Sequence, residues 1–203
     1  MVPQLRKPEV LNTAAYVIGT RALGPGWRAA IWVQGCPFHC AGCVAPEWQE
    51  QRTADLVRVN DLVERILTPG ITGLTISGGE PMLQADVLAS LVEQVRRRRS
   101  SIDVICFTGF TMGQLIWSND DGVSRFLAQL DVLVDGLYVE AKNDGRGLRG
   151  STNQMVHRLT EAGRRMSYNF ETAPRHLEIH IGNDRYLAAG IPPARVLAAL
   201  NDL

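Results

Sequence analysis

Three of the four cysteines in this 203-residue sequence fall within eight residues, at Cys36, Cys40 and Cys43. Thiolates are soft ligands that suit iron–sulfur clusters, and close spacing in one loop lets them wrap a cubane. A cubane contains four irons, so three thiolates leave one iron open to a ligand other than cysteine. A closed zinc site would need a fourth ligand. The candidate His39 lies between two of the cysteines, where binding the same ion together with them would be strained. The spacing therefore favours a [4Fe–4S] cluster over zinc.

The remaining cysteine and the overall composition narrow the possible classes of protein further. The fourth cysteine, Cys106, lies in an apolar run and is interpreted as a small buried side chain in a strand. Clustered cysteines of this kind indicate a metal site in a reducing compartment rather than a disulfide framework. Lys plus Arg equals Asp plus Glu at 21 each, so no overall charge attracts nucleic acid or an anionic membrane. With short apolar stretches and no secretory signal, we expect a cytoplasmic protein with no nucleic-acid or membrane partner.

A second segment with binding chemistry is Ser77-Gly78-Gly79-Glu80-Pro81, between a predicted strand and a predicted helix. Glycines permit close approach of the backbone to a ligand, and the Glu80 carboxylate can accept a charge-assisted hydrogen bond from an ammonium group. Alone, the segment could equally be an ordinary turn with Pro81 near the first helical position. Because it occurs together with the cysteine loop, we interpret it as part of a binding site.

Short apolar runs alternate with amphipathic patterns, which predicts βα units and a parallel sheet. Strands are predicted at residues 29–33, 73–76, 104–108 and 132–134. Helices are predicted over residues 56–67, 83–95, 112–117, 123–130 and 153–162, with a short one after Pro193. Residues 176–181 and 185–188 are typical of a β-hairpin. The expected fold class is α/β, an open partial (β/α) barrel of about five to six βα units, because the chain is too short for a closed eightfold barrel.

The C-x3-C-x2-C spacing after a strand, followed some forty residues later by Gly-Gly-Glu, resembles the radical S-adenosylmethionine superfamily. Within it the sequence is similar to the activases of glycyl radical enzymes, of the type that activates anaerobic ribonucleotide reductase. The segments that carry this similarity occur in the same order and are residues 24–28, 31–36, 108–111, 131–136 and 148–154. The resemblance implies a single radical S-adenosylmethionine domain over residues 1–203, with a core at about 12–162 and a C-terminal extension at 163–203.

The same resemblance implies the chemistry of the site. A [4Fe–4S] cluster would be held by the three cysteines and would cleave S-adenosylmethionine reductively, giving a 5′-deoxyadenosyl radical. The implied cofactor-binding residues are Ser77, Gly78, Gly79, Glu80, Thr108 and Asp135. Asp135 could equally be a turn residue before a glycine, and Asn153 could cap a helix. The implied partners are a glycyl radical enzyme and an electron donor of the flavodoxin or ferredoxin type.

Two positions depart from the family pattern, since Gly42 and Val44 stand where relatives often carry aromatic residues. Either the adenine is supported from elsewhere, with Phe107 or Phe38 as candidates, or the pocket is looser. Residues 163–203 match no activase that we know, which leaves the target of the radical open. The alternatives are a radical enzyme acting directly on a peptide or small molecule, and a non-catalytic iron–sulfur or zinc protein.

Overall fold

The computed structural model describes residues 9–182 and 186–192. Its main element is a seven-stranded sheet with the strand order β3-β1-β2-β4-β5-β6-β7. The strands are β1 (Val10–Thr20), β2 (Arg28–Val33), β3 (Asp55–Arg58), β4 (Gly73–Gly78), β5 (Asp103–Phe107), β6 (Val132–Asp135) and β7 (Met155–Arg158). The four central strands, β2, β4, β5 and β6, run parallel, whereas β1, β3 and β7 pair antiparallel. The sheet is open, with β3 and β7 at its edges.

Helices connect the parallel strands and cover one face of the sheet. They are α1 (Val59–Ile66), α2 (Ala85–Arg98), α3 (Met112–Trp117) and α4 (Asp121–Leu127), and a fifth helix, α5 (Glu161–Arg165), follows β7. In the described part of the chain three such crossovers link parallel strands, so the expected five to six βα units were too many. The fold is a mixed α/β domain with a parallel centre.

The register of the parallel strands assigns each side chain to one face. One lateral row packs against the helices and consists of Ile31, Ile76, Cys106 and Leu133. The adjacent row faces the other way and consists of Ala30, Thr75, Ile105 and Val132. Cys106 is fully buried, which confirms its interpretation as a core side chain. Because side chains alternate along a strand, the register also decides which side chains face the helices and which face the other side of the sheet.

Four predicted strands and helices α2, α3 and α4 are confirmed with small shifts of their ends. The long strand β1 was missed because a bulge between Thr13 and Ala15 interrupts the alternation of its side chains. The predicted helix over residues 56–67 begins only at Val59, and the residues before it form β3.

The predicted helix over residues 153–162 is wrong. Residues Met155–Arg158 form β7 and pair antiparallel with β6, so their backbone groups are taken by the sheet rather than by a helix. Asn153 therefore caps no helix, and its side-chain amide donates to the carbonyl of Leu137 at 2.8 Å. Thr160 caps the short α5 instead.

The C-terminal hairpin is confirmed as β8 (Leu177–Ile181) paired with β9 (Tyr186–Gly190). Glu178 attaches it to the end of β1 by accepting hydrogen bonds from the Thr20 hydroxyl at 2.6 Å and the Arg21 amide at 3.0 Å. Ala189 is buried against the face of the sheet that points away from the helices. The helix predicted after Pro193 lies outside the described residues. Among the helices that are described, none is long and apolar enough to cross a membrane.

Candidate cofactor site at the carboxyl edge of the parallel strands

The parallel strands bring the sequence motifs to one edge of the sheet. The cysteine loop follows β2, the Gly-Gly-Glu segment ends β4, Thr108 follows β5 and Gly136 follows β6. Since carboxyl ends of parallel strands meet at the same edge, ligand sites of open α/β sheets form there. Residues from all four loops line one cavity of about 220 Å³ at this edge.

Three thiols line this cavity, those of Cys36, Cys40 and Cys43. Burial raises the pKa of Cys36 to about 11, opposed by a hydrogen bond from the backbone of Phe38. Burial also raises the pKa of Cys40, opposed by a hydrogen bond from the backbone of Tyr138. No described cation offsets these shifts at either thiol, so a bound metal would supply the positive charge that the thiolates need.

Gly78 and Gly79 bring the Gly-Gly-Glu segment directly against the cysteine loop. The Gly79 amide donates to the Val33 carbonyl at 2.7 Å, and the Glu80 amide donates to the Gly35 carbonyl at 2.8 Å. A Cβ atom at Gly79 would lie 2.2 Å from that Gly35 oxygen, and one at Gly78 would lie 2.4 Å from the Val33 nitrogen. The two glycines are therefore required by the contact between the motifs, in addition to lining the cavity.

Glu80 is almost fully buried, and its carboxylate binds three donors of the protein itself. It accepts from the amide of Met82 at 2.9 Å, the hydroxyl of Thr108 at 2.7 Å and the amide of Gly109 at 2.8 Å. Burial raises the pKa of Glu80, while these three hydrogen bonds act in the opposite direction. The carboxylate thus joins the loop after β4 to the loop after β5, and Glu80 and Thr108 act as one unit at the cavity wall.

Of the six predicted cofactor residues, Asp135 alone does not line the cavity. It lies on the helix-covered face of β6 together with Leu133, because the two are separated by one residue. Its carboxylate accepts a hydrogen bond from the amide of Met112 at 2.5 Å and lies 3.0 Å from Nε2 of His157. Asp135 therefore holds the first turn of α3, just after the Thr108 loop.

Aromatic side chains form the apolar part of the cavity. Phe38 and Phe107, the two candidates for supporting the adenine, line it together with Tyr138, which sequence reasoning missed. The Phe38 ring is held edge-on against Phe110, with 4.8 Å between ring centroids. At Gly42, where the family resemblance led us to expect an aromatic residue, a Cβ atom would lie 2.7 Å from the Glu140 carboxyl carbon.

Gln154 is a second residue that sequence reasoning undervalued. Its side-chain oxygen accepts hydrogen bonds from the amides of Gly150 and Ser151, and its amide nitrogen donates to the Gly136 carbonyl at 2.7 Å. Gln154 thereby ties the loop after β6 to the segment before β7, and both border the cavity. The signal was present in residues 148–154, which carry the family resemblance but do not by themselves indicate a role for the glutamine.

The donor set fits a [4Fe–4S] cluster. The fourth cysteine is buried in β5 and lies outside the cavity, so three thiols are offered. Three thiols from one loop can each bind a separate iron, as a [4Fe–4S] cluster requires, whereas a closed zinc site would need a fourth ligand. Fold and site together define an iron–sulfur protein with a strand-end binding cavity.

Comparison with known proteins identifies the family. Residues 22–157 match the family described as "4Fe-4S single cluster domain". The anaerobic ribonucleoside-triphosphate reductase-activating protein of Vibrio cholerae serotype O1 is 33% identical over 153 residues, covering 68% of this chain and 91% of that protein. Its counterpart in Escherichia coli K12 is 31% identical over 147 residues, covering 67% and 91%. A putative glycyl-radical enzyme activating enzyme of Haemophilus influenzae is 33% identical over 114 residues, covering 53% and 42%.

The chain belongs to the 4Fe-4S single cluster domain family. This confirms the resemblance to radical S-adenosylmethionine activases that the cysteine and Gly-Gly-Glu motifs indicated. It also confirms the two predicted cofactors, a [4Fe–4S] cluster and S-adenosylmethionine.

Proposed function

We propose that this chain is an activase that generates a glycyl radical on a partner enzyme, with an anaerobic ribonucleoside-triphosphate reductase as the first candidate partner. The observation that carries the proposal is the shared cavity, in which three cysteine thiols meet the Gly-Gly-Glu segment. Relatives that bear this activity in their names match this chain over about two thirds of its length. We take residues 1–203 as one domain and its open sheet as the partial (β/α) barrel of the superfamily.

In this proposal Cys36, Cys40 and Cys43 hold a [4Fe–4S] cluster. When bound, the cluster supplies one electron to the sulfonium of S-adenosylmethionine, whose homolysis gives methionine and a 5′-deoxyadenosyl radical that takes a hydrogen atom from the substrate. The protein binds and orients the cofactor and excludes water from it.

Different residues of the cavity wall position different parts of the cofactor. Backbone groups of Ser77, Gly78 and Gly79 border the cavity and form the contact for the methionine end of the cofactor. Glu80 and Thr108 fix these strand ends in place through their mutual hydrogen bond. Asp135 contributes indirectly, because it does not line the cavity but holds the first turn of α3. Phe38, Phe107 and Tyr138 provide apolar surface for the adenine.

The first test is cofactor cleavage. The protein is reconstituted anaerobically with iron and sulfide, reduced with dithionite, and incubated with S-adenosylmethionine. We expect 5′-deoxyadenosine well above the level of a protein-free control. An intact cluster that yields none would overturn the enzymatic assignment and favour an electron-transfer protein.

The second test identifies the substrate. The anaerobic reductase of the same organism is prepared with deuterated glycine and added to the reaction. We expect deuterium in 5′-deoxyadenosine, and in a parallel reaction with unlabelled reductase we expect the doublet of a glycyl radical in the electron paramagnetic resonance spectrum. Cleavage without either signal would overturn the activase assignment and favour a radical enzyme acting on a peptide or small molecule. A dependence of the rate on added flavodoxin or ferredoxin would identify the electron donor.

A further inference from the structure

A second, larger cavity of about 820 Å³ lies beside the cofactor cavity, between β1 and the C-terminal hairpin. One wall is formed by residues 14–17 of β1, and the other by the tip of the hairpin, including His180 and Leu187. Its volume falls within the range of roughly 300–1,000 Å³ that is typical of ligand sites. We call this space the β1–hairpin groove.

The β1 wall of this groove is an open strand edge. On the side away from β2, β1 pairs with β3 only through Val10, Leu11, Asn12 and Thr13. From Ala14 to Val17 no strand in the described part of the chain occupies that side. All four of these consecutive residues line the groove, so the backbone edge itself borders it. An open edge of this kind accepts an added strand from another polypeptide.

The groove borders the cofactor cavity. Trp32, Trp48, Val44 and Gly190 belong to the walls of both spaces. The two tryptophan rings pack at a tilt, with 5.8 Å between their centroids. A chain lying along β1 would therefore come next to the cavity that is lined by the three cysteines.

We propose that the β1–hairpin groove binds an extended segment of the partner enzyme, paired with the open edge of β1, and leads its glycine to the cofactor cavity. This inference rests on the proposed activase function. The walls carry both polar and apolar surface; their acidic residues are Glu47 and Asp55, and no lysine or arginine of the described residues lines the groove. The groove therefore disfavours an acidic segment, which the two carboxylates would repel.

The hairpin wall lies outside the part of the chain that the family shares. The family match ends at residue 157, whereas the hairpin begins at Leu177. The cysteine loop and the Gly-Gly-Glu segment thus lie in the shared part, while the hairpin, like residues 14–17 of β1, lies outside it. On this basis the hairpin distinguishes the partner of this activase from those of its relatives.

The test compares one substitution at two positions of the hairpin. Leu187 lines the groove, whereas Ile179 does not line it and is 56% exposed. Binding of the purified anaerobic reductase is measured for the wild type, Leu187→Arg and the control Ile179→Arg. We expect Leu187→Arg to weaken binding about tenfold or more and Ile179→Arg to change it less than about twofold. Equal affinities for all three would overturn the inference.

Leu187 and Ala14 both pack against the same buried cluster, so a variant is made in each wall and the folding of each is checked. Ala14→Arg should weaken binding as Leu187→Arg does, with both variants checked by circular dichroism. In hydrogen exchange, added reductase should slow exchange in the peptide that contains residues 14–17. Binding without protection there, or no binding by the wild type, would overturn the inference. So would a wild-type dimer that Ala14→Arg dissociates, since a second copy of the chain would then fill the groove.

These outcomes are separable from failure of the proposed function. Reductase binding and hydrogen exchange need neither electrons nor cofactor cleavage, so they report on the groove alone. Conversely, 5′-deoxyadenosine formation by the wild type in the absence of reductase reports on the cofactor site alone.

Discussion

Two of the loops that line the cofactor cavity differ in how far the protein's own contacts fix them. In the loop after β4, the Glu80 carboxylate accepts three hydrogen bonds from neighbouring protein groups. In the loop after β2, the thiols of Cys36 and Cys40 are only partly buried, and burial raises the pKa of both. The first loop is held by hydrogen bonds within the protein, and we call it the complete loop. The second, the incomplete loop, carries ligand atoms whose charged form needs a metal. In the proposed site, the S-adenosylmethionine side is thus fixed by contacts within the polypeptide, and metal binding completes the cluster side.

The largest effect is expected where the incomplete loop loses a ligand. Cys40→Ala should prevent cluster assembly, because two thiols remain for four irons. The folding free energy should change by less than about 1 kcal/mol, because Cys40 is only partly buried. Iron and sulfide content after reconstitution, together with visible absorbance, measure the first effect, and chemical denaturation measures the second.

The matched control is Cys106→Ala, which removes a thiol from the core of β5. It should keep the full iron content and lose about 1 kcal/mol of stability. If Cys40→Ala retained the wild-type iron content, the three-cysteine assignment would be wrong.

The next largest effect concerns the contact between the two loops. In Gly79→Ala the new Cβ would lie 2.2 Å from the Gly35 carbonyl oxygen, so the loops would have to move apart. We expect a loss of about 3 kcal/mol in the free energy of unfolding and reduced iron content after reconstitution. The free energy is obtained from urea denaturation of the metal-free protein.

Gly113→Ala is the control for this substitution. Gly113 lies in α3, where a new Cβ would have no neighbouring atom closer than 4.0 Å, and alanine favours helix over glycine by roughly 0.5–1 kcal/mol. This variant should therefore be unchanged or slightly stabilised. A Gly79→Ala protein as stable as Gly113→Ala would show that the two loops are free to separate.

The difference between the two loops also explains what the sequence could reveal. The cysteines and Gly-Gly-Glu are contiguous motifs whose chemistry can be interpreted locally, and their meeting in one cavity followed from strand ends alone. The roles of Glu80 and Asp135 could not be predicted, because their partners lie 23 to 29 residues away along the chain. The same holds for β7, whose helix-like pattern is overridden by pairing with β6. Local patterns predicted the parallel centre of the fold, and tertiary hydrogen bonds decided the rest.

A smaller effect is expected at the complete loop. Glu80→Gln keeps one acceptor but turns an amide NH₂ toward a group that donates in the wild type. One of the three hydrogen bonds is lost, and we expect about 1–3 kcal/mol lower stability. The iron content should stay at the wild-type level, while affinity for S-adenosylmethionine, measured by calorimetry on the reconstituted protein, should fall.

Glu64→Gln provides the comparison, because this exposed carboxylate pairs only with Arg98 among the described contacts. It should leave iron content and cofactor affinity unchanged. Unaltered cofactor affinity in Glu80→Gln as well would remove the Glu80 network from the binding site and leave it a purely structural link.

The smallest effect is expected at Asp135, which supports the complete loop from behind. Asp135→Ala removes the acceptor for the Met112 amide and should lower stability by about 1–2 kcal/mol, whereas Asp135→Asn retains an acceptor and should lower it by less. Because α3 follows the Thr108 loop directly, cofactor affinity should decline in proportion to stability across the two variants. Thermal unfolding and calorimetry on the same preparations supply both quantities. Wild-type stability combined with strongly reduced affinity in Asp135→Asn would instead place this carboxylate on the cofactor, and the S-adenosylmethionine side of the cavity would then extend to β6.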